Sequence, residues 1–235
     1  MTTNMIKNLA IWGDSLLKGI VFDETDGKYR PLKNASVSLF EHAFPIRVKN
    51  NSHFGCTAPK ALANMERSLS KGFTADAVLL EFGGNDCDYN WAEVSKEPDK
   101  HHEPHTPYAQ FVETMKRMAE LLKQHGIRPI FMNLPPIDAE RYFDWISRLP
   151  GVCAENVMRW LGQKDAIYRQ QERYSLSIEK LAYTLGEPLI DVRDPFLAEH
   201  NYREFLCVDG IHLNQKGHEV MGSVFQSYAQ SHAAV

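Results

Sequence analysis

The chain has 235 residues, of which 43% are hydrophobic and 24% are charged, an ordinary composition for a soluble globular protein. This length fits one α/β domain with a substantial buried core, so we expect a single domain over residues 1–235. The formal net charge of -4 argues against nucleic-acid binding, for which a basic face is the usual footprint.

The sequence shows no sign of membrane insertion or export. No stretch approaches the roughly 18 apolar residues that a membrane-spanning helix needs. Residues 1–7 lack the long apolar stretch and the cleavage site of a signal peptide. We therefore expect a cytoplasmic protein without a membrane span, whose partner is a small molecule and not a nucleic acid.

Short apolar runs alternate with helical patterns along the chain, which predicts a mainly parallel sheet with helices on both faces. The predicted strands lie at residues 9–12, 35–41, 45–49, 77–82, 129–133 and 188–192, and one of the second and third is expected to pair at an edge. Residues that follow the carboxyl ends of such strands lie where open α/β sheets bind their ligands.

The clearest helical pattern covers residues 108–122, where apolar residues repeat at intervals of three and four and predict one buried stripe. A helical stretch at residues 155–185 is expected in more than one piece, and Asn214 is a candidate N-cap for the last helix. Residues 87–105 form the least regular segment, and a loop of this length in a compact domain is often functional.

Two short motifs near the chain ends contain the residue types of a serine hydrolase. Gly-Asp-Ser-Leu at residues 13–16 directly follows the first predicted strand, and Asp-Gly-Ile-His occupies residues 209–212. A serine hydroxyl is a weak nucleophile near neutral pH and needs a histidine to take its proton and a carboxylate to orient that histidine. Ser15, His212 and Asp209 are therefore the candidate catalytic residues.

Two further positions fit an oxyanion hole, the group of donors that stabilises negative charge on a carbonyl oxygen during acyl transfer. Gly55 permits a close approach of its backbone N–H, and Asn85 follows a Gly-Gly pair after the strand at 77–82. The N–H of Ser15 supplies a third donor. The predicted oxyanion hole thus consists of Ser15, Gly55 and Asn85.

In this order the four blocks resemble the SGNH hydrolase superfamily, also called the GDSL esterases and lipases, named after the Ser, Gly, Asn and His found here as Ser15, Gly55, Asn85 and His212. The resemblance extends from residue 6 to about residue 218. It implies a three-layer α/β/α sandwich, flavodoxin-like, with a mainly parallel five-stranded sheet. It also implies a serine esterase that forms an acyl-enzyme and uses no cofactor or metal. The sequence has Leu213 where many members of the family carry Pro.

Each motif also has a structural interpretation. Gly, Asp and Ser are common turn residues, and a lone His is more often a surface or hydrogen-bonded residue than a catalyst. The order of all four blocks favours the catalytic interpretation. Residues Asp88, Tyr89 and Trp91 follow the oxyanion block and are the candidate substrate-binding residues, although the two aromatic side chains would also serve to pack the loop.

The catalytic motifs indicate a mechanism but do not identify the ester substrate. We expect short acyl groups, such as acetyl esters of carbohydrates, and lysophospholipase or thioesterase activity is the alternative within the same superfamily. A non-catalytic binding module on this scaffold is a second alternative. A third is a metal-dependent hydrolase that uses the loop histidines His101, His102 and His105, although no Cys or carboxylate completes a recognisable ligand spacing.

Overall fold

The computed structural model describes residues 6–233. The strands are β1 (Asn8–Trp12), β2 (Ile20–Asp23), β3 (Lys28–Pro31), β4 (Arg47–Asn50), β5 (Ala77–Leu80), β6 (Arg128–Met132) and β7 (Leu189–Ile190). The helices are α1 (Ser15–Lys18), α2 (Ser36–Ala43), α3 (Ala58–Ser70), α4 (Trp91–Lys96), α5 (Tyr108–Gln124), α6 (Ala139–Ile146), α7 (Ala154–Leu161), α8 (Asp165–Leu185), α9 (Arg193–Leu197) and α10 (Gln215–Ala233), with a 3-10 turn at Tyr202–Phe205.

Five strands form one parallel sheet in the order β4-β1-β5-β6-β7, with helices on both faces. The strand order changes direction at β1, because β4 lies on one side of it and β5, β6 and β7 lie on the other. The loops that follow the carboxyl ends of β1 and β5 therefore border a crevice. The predicted α/β/α architecture with a mainly parallel five-stranded sheet is confirmed. Within residues 6–233, no helix has the length and apolar character that a membrane span requires.

One predicted strand is wrong. Residues 35–41 were expected to be extended, but the structure forms helix α2 there. Val37 and Phe40, three residues apart, are both buried, and α2 packs against α10. A short apolar run fits a strand and a buried helix equally well, and here packing against α10 decides between them.

A small antiparallel hairpin of β2 and β3 stands outside the main sheet and has no counterpart among the predicted elements. Its turn contains Asp26 and Gly27, and Gly27 has a φ of 68°. Asp-Gly is a common hairpin turn because glycine adopts positive φ without steric cost. This dipeptide is the sequence signal from which the hairpin could have been found.

The buried side chains form three clusters. Two of them cover opposite faces of the sheet and contain, for example, Phe111 and Met115 on one face and Phe196 and Met221 on the other. The third cluster joins α4, α6, α7 and the start of α8, and it includes Trp91 and Tyr142. We call α4, α6 and α7 the cap helices. They follow the carboxyl ends of β5 and β6, so the cap has its own apolar interior beside the ligand-binding edge of the sheet.

Candidate active site

Ser15 is the first residue of α1 and lies just beyond the end of β1. Asp14 caps this short helix, because its Oδ1 accepts a hydrogen bond from the Leu16 N–H at 2.9 Å. Gly13 permits the tight approach, since a Cβ there would lie 2.8 Å from Glu81 Oε2. The Gly-Asp-Ser sequence thus places the hydroxyl of Ser15 in a buried position at the sheet edge.

The two ends of the chain meet at Ser15. His212 Nε2 lies 2.9 Å from Ser15 Oγ, and His212 Nδ1 lies 2.6 Å from Asp209 Oδ2. The other oxygen of Asp209 accepts the N–H groups of Ile211 and His212, each at 3.1 Å. The Asp-Gly-Ile-His turn therefore holds the carboxylate and the imidazole in one fixed arrangement.

This turn requires its glycine. Gly210 has a φ of 77°, and a Cβ at this position would lie 2.6 Å from the Asp138 carbonyl oxygen. Leu213, which follows His212, is also constrained, because it is fully buried and forms a β-bridge with Leu206. The apolar side chain of Leu213 thus anchors the end of this turn in the hydrophobic core.

Asp209 is fully buried, yet it keeps its charge. Burial alone would raise the pKa of this carboxyl, but the hydrogen bond from His212, its charge and the backbone N–H donors hold the pKa below its usual range. An ionised carboxylate beside Nδ1 fixes the tautomer in which Nδ1 carries a proton and Nε2 faces Ser15.

Sequence reasoning missed Tyr29, which contacts the same carboxylate. Its hydroxyl donates to Asp209 Oδ2 at 2.9 Å, and its ring centroid lies 4.9 Å from that of His212. Tyr29 lies in β3 of the unpredicted hairpin, 180 residues from Asp209 in the chain. No local motif marks it, and only the Asp-Gly turn signals the hairpin that carries it.

Asn85 follows β5 and points towards the serine loop. Its Nδ2 donates to Asp14 Oδ2 at 2.7 Å. An amide nitrogen carries two N–H donors, so this bond orients the group and leaves one donor for a ligand. Asp14 therefore links the serine turn to Asn85.

Gly55 lies in the loop after β4 with a φ of 67°, a backbone conformation that favours glycine. Gly55 itself does not line the cavity beside Ser15 and His212, but its neighbour Phe54 does. The Phe54 ring lies parallel to that of His212 at a centroid distance of 6.0 Å. Within residues 6–233, the backbone N–H groups of Ser15 and Gly55 donate to no protein acceptor.

Beneath the serine turn lies a pair of buried carboxyl groups that sequence reasoning also missed. Glu81 is fully buried at the end of β5, and its Oε2 accepts the Asp14 N–H at 3.1 Å. Burial, and then the charge of Asp14, raise the pKa of Glu81 well above its usual range. Burial raises the pKa of Asp14 as well, but hydrogen bonds from Leu16 and Asn85 oppose that rise, so we assign the proton of the pair to Glu81, which then donates to the Asp14 carboxylate. A Glu within the apolar run at 77–82 was the available signal.

The Ser15–His212 pair opens into a cavity of about 810 Å³. The predicted substrate-binding residues Asp88, Tyr89 and Trp91 all line it. Asp88 accepts hydrogen bonds from Trp91 Nε1 at 2.9 Å and from the Tyr142 hydroxyl at 2.7 Å. This network ties the loop that follows Asn85 to the cap helix α6. The cavity is also lined by the cap aromatics Tyr142, Trp145 and Trp160.

The three loop histidines have separate partners. His105 lines the cavity, and its Nδ1 lies 3.0 Å from the Asn85 carbonyl oxygen. His101 contacts Glu103, and His102 contacts the Glu97 carbonyl oxygen. Among the residues that the structure describes, no three His, Cys, Asp or Glu side chains are grouped as a metal site would require.

A sequence profile of the GDSL-like Lipase/Acylhydrolase family matches residues 11–220. The chain belongs to this family. Membership makes it a hydrolase of ester bonds, and the predicted resemblance to the SGNH or GDSL hydrolases is confirmed. A search of curated protein sequences gives no match.

Solved structures of GDSL-type enzymes share the fold at low sequence identity. A lipase/acylhydrolase from Enterococcus faecalis has 17% identity and a TM-score of 0.66, with 96% of this chain and 97% of that chain covered. An acetylxylan esterase from Geobacillus stearothermophilus, in a catalytic mutant, has 17% identity and a TM-score of 0.67, with 97% and 96% covered. A GDSL-like lipase from Bacteroides thetaiotaomicron has 16% identity and a TM-score of 0.64, with 96% and 88% covered.

Proposed function

We propose that this GDSL hydrolase is a serine esterase in which Ser15 is the nucleophile, His212 the general base and Asp209 the group that orients His212. The observation that carries the proposal is the unbroken series of hydrogen bonds from Asp209 through His212 to Ser15 Oγ, at 2.6 and 2.9 Å. A base within hydrogen-bond reach of the nucleophile, itself held by a third group, is the arrangement that activates a serine.

The oxyanion hole in this proposal consists of the Ser15 N–H, the Gly55 N–H and the Asn85 amide. The free N–H groups of Ser15 and Gly55 support it, as does the single N–H that remains on Asn85 Nδ2. Donors held in place before the reaction cost no reorganisation when charge develops on the carbonyl oxygen. Asp14 supplies that rigidity, because it is bonded to both the serine turn and Asn85.

The reaction would proceed in two steps. Ser15 Oγ attacks the ester carbonyl while His212 takes its proton, and His212 then protonates the departing alcohol to leave an acyl-enzyme. Water attacks this acyl-enzyme with His212 again acting as base, the acid departs, and Ser15 regains its proton. No cofactor or metal enters this scheme.

For the substrate we propose short acyl groups, such as acetyl esters of carbohydrates. The half-buried aromatic side chains of Tyr89, Trp145 and Trp160 support this choice, because they line the cavity beside polar groups such as Asp88. Aromatic faces with polar neighbours suit sugar rings, which have both apolar faces and hydroxyl edges. The likeness to an acetylxylan esterase agrees with the choice.

The test compares kcat/KM for acetylated xylo-oligosaccharides, p-nitrophenyl esters of increasing chain length, lysophospholipids and acyl thioesters, with Ser15→Ala as the blank. We expect the highest kcat/KM with acetyl esters and a steady fall as the chain lengthens. A maximum with long-chain lysophospholipids or thioesters would replace the substrate class and keep the mechanism. No turnover of any ester by folded wild-type protein would favour a binding module instead.

We also propose that the 235-residue chain works as a single domain. Ser15 follows the first strand and His212 precedes the last helix, so the site joins both ends of the described chain. A single cooperative unfolding transition, coincident with loss of esterase activity, is the expected result. Two separated transitions would contradict it.

A further inference from the structure

The carboxylate of Asp209 accepts four hydrogen bonds from protein groups. Oδ1 takes the two backbone N–H groups of its own turn. Oδ2 is shared between His212 Nδ1 at 2.6 Å and the hydroxyl of Tyr29 at 2.9 Å. Tyr29 is the member of this set that lies outside residues 209–212 and outside the motifs of the family resemblance.

The ring of Tyr29 is held firmly in place. It packs against Phe22 of the same hairpin at a centroid distance of 5.2 Å, against Phe54 at 5.4 Å and against Trp145 of α6 at 6.3 Å. These aromatic contacts from three different segments fix the direction of the phenol oxygen. Burial, and then the nearby Asp209 charge, raise the pKa of the Tyr29 phenol above its usual range, so the hydroxyl keeps its proton and acts as a donor.

We propose that Tyr29 is a positioning residue for the esterase reaction: its hydroxyl holds Asp209 Oδ2 against His212 Nδ1 and sets the pH at which His212 becomes a neutral base. This inference rests on the proposed roles of His212 and Asp209. A donor to Oδ2 withdraws negative charge from the atom that stabilises imidazolium. Without the Tyr29 hydroxyl, Asp209 Oδ2 carries more negative charge beside His212 Nδ1. This charge favours protonated His212 and raises its pKa.

Asp209 is the carboxylate that is hydrogen-bonded to the His212 ring, and the other titratable groups nearby affect His212 less directly. Burial raises the pKa of the Cys207 thiol to about 11 and lowers the pKa of His218 on α10 to about 4, so both are neutral at neutral pH. Asp14, before α1, adds a negative charge, but its oxygens are bonded to Leu16 and Asn85. The Tyr29 hydroxyl is therefore the group whose removal changes the Asp209–His212 pair most directly.

The test is Tyr29→Phe, which removes the hydroxyl and keeps the ring packing. We expect the acid limb of the kcat/KM profile to move up by about 0.5 to 1 pH unit, a fraction of what a hydrogen bond to a charged group is worth. On the acid limb, where kcat/KM falls tenfold per pH unit, the same shift lowers kcat/KM about threefold to tenfold, and on the alkaline plateau it changes kcat/KM little. The matched control is Tyr202→Phe, whose hydroxyl donates to the Ile137 carbonyl oxygen at 3.2 Å and not to Asp209. This control should keep the wild-type profile.

A direct NMR titration of the His212 ring separates this inference from the proposed function, because it needs no turnover. A raised His212 pKa in Tyr29→Phe supports the positioning role even if no ester is hydrolysed. An unchanged His212 pKa in folded Tyr29→Phe overturns it even if the esterase is active.

A double-mutant cycle adds a second measurement. In an Asp209→Asn background there is no carboxylate charge to share, so Tyr29→Phe should no longer move the His212 pKa. An equal shift in both backgrounds would mean that the Tyr29 hydroxyl acts on His212 independently of the Asp209 charge, and the inference would fail.

Discussion

The serine edge of the sheet, by which we mean Ser15, Asn85 and the turn at residues 209–212, and the cap helices hold their side chains by different means. Ser15, His212 and Asp209 are all buried, and hydrogen bonds from backbone and side-chain groups hold Ser15 after β1 and the other two in the turn before α10. The cap aromatics Trp145 and Trp160 are half-buried and belong to a separate apolar cluster. The comparison suggests that the edge determines the rate of the chemical step, whereas the cap determines which substrate reaches it.

The largest expected effect is at the edge. Ser15→Ala should reduce esterase kcat by roughly four to six orders of magnitude, since removal of a triad nucleophile leaves only binding and the oxyanion hole. The side chain is small and its removal leaves the Asp14 cap intact, so the thermal midpoint should stay close to that of wild type. Labelling by a fluorophosphonate should disappear with the activity.

Near-normal turnover by Ser15→Ala would remove the proposed mechanism. Labelling that persists in the variant would point to another nucleophile in the cavity.

The position of Ser15 was predictable because a single apolar strand and an adjacent turn fix it. The same holds for Asn85, which lies in the loop that follows the buried run of β5. The role of Tyr29 was not predictable from local pattern, because it depends on a hairpin folding back onto Asp209, 180 residues away. Helix α2 was mistaken for a strand because its short apolar run has no decisive period, and its packing against α10 is not visible in the local sequence.

A smaller loss of kcat is expected for a substitution at Asn85. This variant tests whether the serine edge controls the chemical step. Asn85→Ala should lower kcat by about 10² to 10³, the typical cost of losing one oxyanion donor, with little change in KM. Asn156→Ala is a matched control, because its amide donates to the Ser95 carbonyl oxygen within the cap. Asn156→Ala should keep the wild-type kcat.

If Asn85→Ala raised KM and left kcat unchanged, Asn85 would bind substrate and the oxyanion hole would lack it.

At the cap, we expect discrimination between substrates to change more than the rate. Trp160 lines the cavity, packs edge-on to Tyr89 at 4.8 Å and donates its indole N–H to the Lys100 carbonyl oxygen. Trp160→Ala should raise KM for an acetylated oligosaccharide about threefold to tenfold, the worth of one aromatic contact. Hydrolysis of p-nitrophenyl acetate, which lacks the sugar units proposed to contact Trp160, should change less than twofold, about the scatter of such comparisons.

Tyr183→Ala serves as the control, since Tyr183 is 90% exposed and does not line the cavity. An equal loss on both substrates in Trp160→Ala would show that the cap also shapes the serine edge.

The smallest effect on activity is expected at Glu81, beneath the edge. Glutamine is a neutral isostere of protonated Glu81 and keeps a donor for the Asp14 carboxylate, so Glu81→Gln should retain kcat/KM within about threefold. Glu81→Ala removes both the donor and the acceptor of the Asp14 N–H and should cost more, because buried polar groups of the serine turn lose their partner.

Stability gives an independent check on the proton at Glu81. Burial raises the folded-state pKa of Glu81 well above its usual value of 4.5, so its contribution to folding is fully present below pH 4.5 and is lost as the pH rises towards the folded pKa. Glu81→Gln carries no such ionisation. The thermal midpoint of Glu81→Gln minus that of wild type should therefore increase between pH 5 and pH 8. A difference that stays constant or decreases over that range would mean that Glu81 is ionised in the folded protein and that Asp14 carries the proton.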